Sequence, residues 1–167
     1  MRKGISTTAE HILLLLTSIG QILAVILTYA SPVRDSLRNT GWILLWIAGV
    51  FGVLPIITFR KYGRIKKGKS YIYTIVLVDK GIYAVMRHPQ YFAGVLISIG
   101  LYLIAPGWVN LILGALNLGQ YYFGTYGEEK RLHEKFGDAY SKYQAQVPRF
   151  NFVVGLWRWL KRKEKNG

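Results

Sequence analysis

The sequence predicts an all-α polytopic membrane protein that crosses the bilayer about four times. Of its 167 residues, 51% are hydrophobic, and the apolar stretches 12–30, 41–59 and 108–123 contain no charged side chain. The formal net charge of +14 comes from Lys and Arg residues that lie beside these stretches. Bilayer topology predicts this distribution, whereas a soluble basic domain that binds nucleic acid does not show it. We therefore expect one integral-membrane domain over 1–167, embedded in a lipid bilayer, with no nucleic-acid partner.

The first two spans are predicted at about 12–30 and 41–59. A helix rises about 1.5 Å per residue, so each stretch is long enough to cross the hydrocarbon core. The basic start Met1-Arg2-Lys3 also occurs in cleaved signal peptides. The apolar run that follows it is longer than a signal peptide needs, which favours an uncleaved first span.

The third and fourth spans are predicted as a C-terminal helical hairpin at about 91–104 and 108–126. Pro106 and Gly107 between them favour a tight turn. The first arm is short for a complete span, so we expect it to tilt or to be extended by the polar residues before it.

Orientation follows from the distribution of Lys and Arg along the connections. The connector 60–89 and the tail from residue 128 are rich in both, whereas the loop 31–40 contains only Arg34 and Arg38. The positive-inside rule therefore places both termini and the connector on the cytoplasmic side of the membrane. We expect this membrane to be a prokaryotic cell membrane. The last segment, Phe152–Lys165, combines aromatic and basic residues and predicts an interfacial helix.

Two polar segments, 75–94 and 128–150, adjoin the hairpin on the same side of the membrane. Because a hairpin returns the chain to its starting side, we expect His88 and Glu128 to be neighbours. A helix is predicted over Glu128–Gln144, on which Tyr140 and Tyr143 are expected to cover an apolar surface. Arg87 as a snorkelling cation and Glu128-Glu129 as a solvated pair are the alternative interpretations.

Metal and thiol chemistry are not predicted. The chain has no cysteine, which excludes disulfides, thiolate ligands and a Cys nucleophile. The three histidines, His11, His88 and His133, are scattered along the sequence and make poor material for a metal site.

The two polar segments together resemble the signature of the isoprenylcysteine carboxyl methyltransferase family. The first block, from Leu77 to Gly94, reads LVDKGIYAVMRHPQYFAG, and the second, from Glu128 to Phe150, reads EEKRLHEKFGDAYSKYQAQVPRF. Both blocks stand in the family's order with an apolar hairpin between them, and the resemblance covers about half of the chain.

The resemblance implies a membrane-embedded methyltransferase that holds S-adenosylmethionine at the cytoplasmic face. The methyl acceptor would be lipophilic and would enter from the membrane. His88 with nearby helix-start N–H groups would bind the methionyl carboxylate, and Glu128 the ribose hydroxyls. No catalytic residue is implied, because transfer to an ionised acceptor depends on alignment. The implied cofactor-binding residues are Ile75, Val76, Leu77, Val78, Tyr83, His88, Pro89, Gln90, Tyr91 and Glu128.

One position departs from the family pattern and leaves the acceptor open. Family members that methylate prenylcysteine carboxylates carry an Arg four residues before the first Glu, where this chain has Gly124. Arg149 is a candidate replacement for contacting the acceptor. Carboxyl methylation of a prenylated cysteine is therefore one possibility, and methylation of a phospholipid amine or of a small thiol is another.

Two further interpretations stay open at the level of sequence. Membrane sterol-type reductases share a related core with a His-Pro motif but bind NADPH, whose 2′-phosphate the connector lysines could bind. A non-enzymatic scaffold that recruits anionic lipid would instead predict no nucleotide binding and tolerance of changes at His88 and Glu128.

Overall fold

The computed structural model describes residues 3–63 and 76–165, with side chains described from residue 9 onward. Within these ranges the regular elements are helical, which confirms the predicted all-α class. A 3₁₀ turn, Gly81–Ala84, precedes the hairpin. The α-helices are α1 (Lys3–Thr28), α2 (Asp35–Tyr62), α3 (Pro89–Ile104), α4 (Trp108–Phe136), α5 (Asp138–Gln146) and α6 (Phe152–Lys165).

Helices α1 and α2 are long and apolar enough to cross a membrane. The segment Ala9–Thr28 of α1 has a mean hydropathy of 2.1, and α2 has 2.2. Their outward faces carry large apolar side chains: Leu27 is 83% exposed and Trp46 is 79% exposed. Apolar surface of this extent is typical of a helix that faces lipid. Helix α3 is apolar but shorter, with 16 residues.

The two arms of the hairpin are longer than the predicted spans. Helix α3 begins at Pro89, whose fixed φ and missing N–H suit the first turn of a helix. Helix α4 continues ten residues beyond the predicted end of its span, to Phe136. Gly137 then adopts a φ of +52°, which favours glycine, and α5 starts at Asp138. The single helix predicted over Glu128–Gln144 is therefore wrong, because Gly137 divides it into two.

The chain forms two compact units. The first comprises Met1–Gly49 and Ala93–Gly124. Buried amide side chains join its helices: Asn117 Nδ2 donates to Gln21 Oε1 at 2.9 Å, and Gln21 Nε2 donates to the Ser98 carbonyl at 2.9 Å. The Thr17 hydroxyl donates to Asn117 Oδ1. Inside a bilayer such bonds satisfy polar groups that lipid cannot.

The second unit comprises Val50–Phe92 and Thr125–Gly167. Phe51 lies at the centre of an aromatic cluster, edge-on to Phe92 at 5.0 Å and to Phe152 at 5.4 Å between ring centroids. Tyr140, Tyr143 and Val147 form a second buried cluster. Every described residue that the sequence predicts to bind the cofactor belongs to this unit.

Candidate cofactor site

An open cleft of about 530 Å³, a volume that includes space open to solvent, lies within the second unit. Nine of the ten predicted cofactor-binding residues line it: Val76, Leu77, Val78, Tyr83, His88, Pro89, Gln90, Tyr91 and Glu128. The tenth, Ile75, lies outside the described residues. The two sequence blocks, separated by the whole hairpin, therefore converge on one cleft. Arg149, the predicted acceptor contact, does not line this cleft.

His88 lies between two glutamates of α4. Its Nδ1 is 3.3 Å from Glu128 Oε2, and its Nε2 is 3.1 Å from Glu129 Oε1. Since a carboxylate only accepts hydrogen bonds, both ring nitrogens must carry a proton for both bonds to form. This geometry favours the imidazolium cation. The ring nitrogens that we expected to bind a methionyl carboxylate thus face the protein's own carboxylates.

Opposing influences act on the pKa of His88. Burial is the largest and lowers the pKa, since it disfavours the charged ring. The hydrogen bonds and negative charges of Glu128 and Glu129 together outweigh burial, so the net shift of the pKa is upward from 6.5. The shift therefore favours the charged form of His88.

Glu129 is a buried carboxylate surrounded by cations. Besides His88, it pairs with Arg149, whose Nη2 lies 2.5 Å from Oε2, and with Arg87, whose Nη1 lies 3.0 Å from Oε1. Burial, the largest influence, raises its pKa, but the bonds from His88 and Arg149 and the charge of Arg87 bring the pKa down to about 2. Glu129 is therefore ionised and is not a proton donor or acceptor near neutral pH.

The segment after α5 closes against the His88 segment through its backbone. The Arg87 N–H donates to the Pro148 carbonyl at 3.0 Å, and the His88 N–H donates to the Arg149 carbonyl at 3.3 Å. The Arg149 guanidinium also lies 4.0 Å above the centroid of the Tyr126 ring. Arg149 thus fixes the tail to Glu129 and Tyr126, which explains its absence from the cleft lining.

The remaining wall of the cleft is aromatic and apolar. Tyr143 is buried and donates its hydroxyl to the Tyr83 carbonyl at 2.8 Å. Tyr140 is fully buried, and burial raises the pKa of its hydroxyl to about 12. Both tyrosines pack against apolar side chains, as expected, and both also line the cleft together with Leu132 and Phe136.

Three buried polar atoms of this cleft lack a hydrogen bond within the described part of the chain. They are the Tyr140 hydroxyl and Nε and Nη1 of Arg87, although Nη1 forms an ion pair with Glu129 and Arg87 also interacts with the Tyr140 hydroxyl, which offsets part of the rise in the pKa of that hydroxyl. Buried polar groups without partners are rare in native proteins, and a bound ligand is one arrangement that completes their bonding. A donor-rich corner of this kind suits an anionic ligand group.

Several lining residues were not assigned to the cofactor from the sequence, namely Phe59, Arg87, Leu132, Phe136, Tyr140 and Tyr143. A signal for two of them is present, because Glu128, Leu132 and Phe136 are spaced by four residues and share one face of α4. From the sequence, Glu129 was considered only as one member of the Glu128-Glu129 pair. In the structure it contacts His88 on the side opposite to Glu128. No local pattern distinguishes which of two adjacent glutamates is buried.

Comparison with known proteins adds a family and relatives. A model of the family described as phospholipid methyltransferase matches residues 22–139. Protein-S-isoprenylcysteine O-methyltransferase of Schizosaccharomyces pombe is 29% identical over 133 residues, covering 71% of this chain and 56% of that protein. Protein-S-isoprenylcysteine O-methyltransferase B of Arabidopsis thaliana is 27% identical over 146 residues, covering 80% and 74%. The chain thus spans little more than half of the S. pombe protein, and the relatives confirm the resemblance read from the two blocks.

Proposed function

Because the chain belongs to the phospholipid methyltransferase family, we propose that it is a membrane-embedded methyltransferase that uses S-adenosylmethionine as its methyl donor. The observation that carries this proposal is the convergence of both sequence blocks on one cleft. In the proposed topology α1–α4 cross the bilayer, both termini are cytoplasmic and α6 lies in the interface. The cleft then opens at the cytoplasmic membrane surface.

The residues present fit this donor. Arg87 and the Tyr140 hydroxyl bring buried hydrogen-bond donors to the cleft, including Nε of Arg87, which forms no hydrogen bond with the described residues, and such donors suit the methionyl carboxylate. The Glu128 side chain is 36% exposed and can accept bonds from a ribose diol. The faces of Tyr83 and Tyr91 suit an adenine ring or the sulfonium charge. We also propose Ile75 as a cofactor-binding residue, although it lies outside the described residues.

His88 takes a positioning role in this proposal. Its imidazolium holds Glu128 from one side and is itself held by Glu129 from the other. The pair of bonds fixes the Glu128 carboxylate relative to the start of α3. His88 therefore orients a cofactor contact and contributes its own charge to the wall of the cleft.

Methyl transfer makes modest demands on the protein. S-adenosylmethionine supplies an electrophilic methyl group on a sulfonium. An ionised carboxylate acceptor needs no general base, and alignment of two bound reactants supplies about 7–11 kcal/mol. Both ring nitrogens of His88 are engaged by glutamates, and the pKa of Glu129 is low, so neither group is free to act as a base, which agrees with an alignment mechanism.

The acceptor that we propose is the carboxylate of a prenylated cysteine, by analogy with the names of the two relatives. A phospholipid amine is the second candidate, supported by the description of the family model. Gly124 stands where carboxyl methyltransferases carry a carboxylate-binding Arg, and Arg149 is engaged by Glu129. The two acceptors differ in charge, so they are separable by assay.

Ligand binding tests the donor. We expect S-adenosylmethionine and S-adenosylhomocysteine to raise the unfolding temperature of the purified protein in detergent, and NADPH not to do so. Glu128→Gln should weaken this binding, while Glu134→Gln, an exposed carboxylate on the same helix, should leave it unchanged. Stabilisation by NADPH alone would overturn the proposal in favour of a reductase.

Product analysis tests the acceptor. Membranes containing the protein would receive S-adenosylmethionine with a labelled methyl group and either a farnesylated N-acetylcysteine or phosphatidylethanolamine. Base-labile label in the farnesylated compound identifies carboxyl methylation, because methyl esters hydrolyse in base. Base-stable label on the lipid headgroup identifies amine methylation and would overturn the first choice of acceptor.

A further inference from the structure

Helix α6 presents an apolar stripe outward. Val153 is 75% exposed, Trp157 55% and Leu160 48%. Their spacing of four and then three residues places the three side chains on one face of the helix. Glu164, one turn beyond, ends the stripe. We call these three residues the α6 stripe.

Basic side chains border the α6 stripe on both sides. In a projection down the helix axis, with about 100° per residue, Lys161 lies on one side of the stripe and Lys163 lies on the other. The Lys161 ammonium lies 4.0 Å from the centroid of the Trp157 ring. Arg158 and Lys165 lie on the same side of the stripe as Lys161, and all four basic side chains are exposed.

The opposite face of α6 is fixed to the rest of the second unit. Arg162 donates from Nη2 to the Ala84 carbonyl at 2.7 Å and from Nη1 to the Gln146 carbonyl at 3.1 Å. Gly155 is buried, and a Cβ there would overlap the Val85 carbonyl oxygen. The helix therefore cannot rotate to bury the α6 stripe against its own unit, and the stripe needs an external surface.

We propose that α6 docks on the headgroup region of an anionic bilayer leaflet, with the α6 stripe inserted and the four basic side chains beside lipid phosphates. The proposal rests on the membrane placement given above. An apolar stripe between cationic borders matches a surface that is apolar below and negative above. Since Ala84 and Val85 follow Tyr83 directly, the docked helix would also hold that wall of the cleft at the membrane surface.

The absence of native cysteine makes the test direct, because a single introduced cysteine carries the only label. Val153→Cys would be spin-labelled in the full chain and reconstituted into phosphatidylcholine vesicles, with or without phosphatidylglycerol as about a third of the lipid. Accessibility to oxygen, which concentrates in lipid, would be compared with accessibility to a water-soluble nickel complex. We expect the oxygen-to-nickel ratio at Val153 to rise at least about threefold with the anionic lipid.

Two charge variants separate docking from a general effect of charge. Replacing Arg158, Lys161, Lys163 and Lys165 by Gln should abolish the rise. Replacing four exposed basic residues of α4 and α5, Lys130, Arg131, Lys135 and Lys142, removes the same charge and should preserve it. An equal loss in both variants would overturn the proposal, because it would assign the effect to net charge.

The remaining outcomes are also decisive. A Val153 label that stays accessible to nickel in anionic vesicles would overturn the proposal, since the stripe would then face water. A label protected from both reagents would overturn it in favour of a protein contact, such as a second copy. A Leu16→Cys label on α1 reports on the proposed span: a nickel-accessible label there would contradict the spans, while the Val153 result still decides the docking of α6.

Discussion

Glu129 Oε1 lies 3.1 Å from His88 Nε2, on the side of the imidazole opposite to Glu128. Two adjacent residues of α4 therefore hold the same ring from two sides. Glu129 is 5% exposed and also pairs with Arg87 and Arg149, whereas Glu128 lines the cleft and is partly exposed. The two glutamates should consequently respond differently to the same substitution.

Glu129→Gln is expected to destabilise the protein. It removes the negative charge that balances three buried or half-buried cations, and breaking such a buried pair costs about 3–5 kcal/mol. Glu128→Gln should lower the free energy of unfolding by less than about 1 kcal/mol, because His88 still pairs with Glu129 in this variant. Thermal unfolding in detergent measures the stability, and calorimetric titration with S-adenosylmethionine measures the affinity. We expect about a tenfold loss of affinity for Glu128→Gln; equal destabilisation by both substitutions would contradict the distinction.

The same pairs predict how stability depends on pH. The pKa of His88 is raised in the folded state, so its contribution is complete below its usual pKa of 6.5 and is lost as pH rises through the folded value. The pKa of Glu129 is lowered to about 2, so its contribution is complete above 4.5 and is lost as pH falls toward 2. Unfolding temperatures should therefore be highest between these limits.

Substitution of His88 tests whether this residue causes the loss of stability at alkaline pH. His88→Gln should flatten the decline above neutral pH, because the group that loses its proton is gone. Lys142→Gln, an exposed change on α5, should leave both limbs in place. An alkaline decline that persists unchanged in His88→Gln would show that another group titrates there.

The sequence was sufficient to predict that His88 and Glu128 meet. A hairpin returns the chain to its starting side, and the apolar runs locate both arms. The length of α4 was not predictable in the same way, because hydropathy shows where apolar side chains stop and not where the helix ends. The glycine at 137 marks that end, but its positive φ is visible only in the structure.

The division of roles between Glu128 and Glu129 also required the structure. Adjacent helical residues point about 100° apart, so only one of them faces the returning tail. Arg149 selects Glu129, and this choice depends on how Val147–Phe150 pass beside Arg87 and His88. Such long-range pairing leaves no local pattern. The role of Arg87 in the cleft was missed for the same reason.

Tyr140→Phe separates ligand binding from stability. The hydroxyl that it removes is buried and interacts with Arg87 without a hydrogen bond of good geometry, so the free energy of unfolding of the unliganded protein should change by less than about 1 kcal/mol. Affinity for S-adenosylmethionine should fall about five- to tenfold if that hydroxyl binds the ligand. Tyr143→Phe is the matched control, since its hydroxyl donates to the Tyr83 carbonyl and its loss should cost about 1 kcal/mol. Unchanged affinity in Tyr140→Phe would remove that hydroxyl from the proposed site.

Gly155→Ala tests how firmly α6 is held on the second unit. The added methyl group would overlap the Val85 carbonyl oxygen and would lie 3.1 Å from Pro148 Cγ, so α6 must move away from the 3₁₀ turn. Trypsin, which cleaves after Lys and Arg, should then cut within α6 at least about threefold faster. Gly127→Ala is the control: its added methyl group meets nothing within 4 Å in the interior of α4, where alanine stabilises a helix by about 0.5–1 kcal/mol. Equal cleavage rates in the two variants would show that the Gly155 contact does not hold α6 in place.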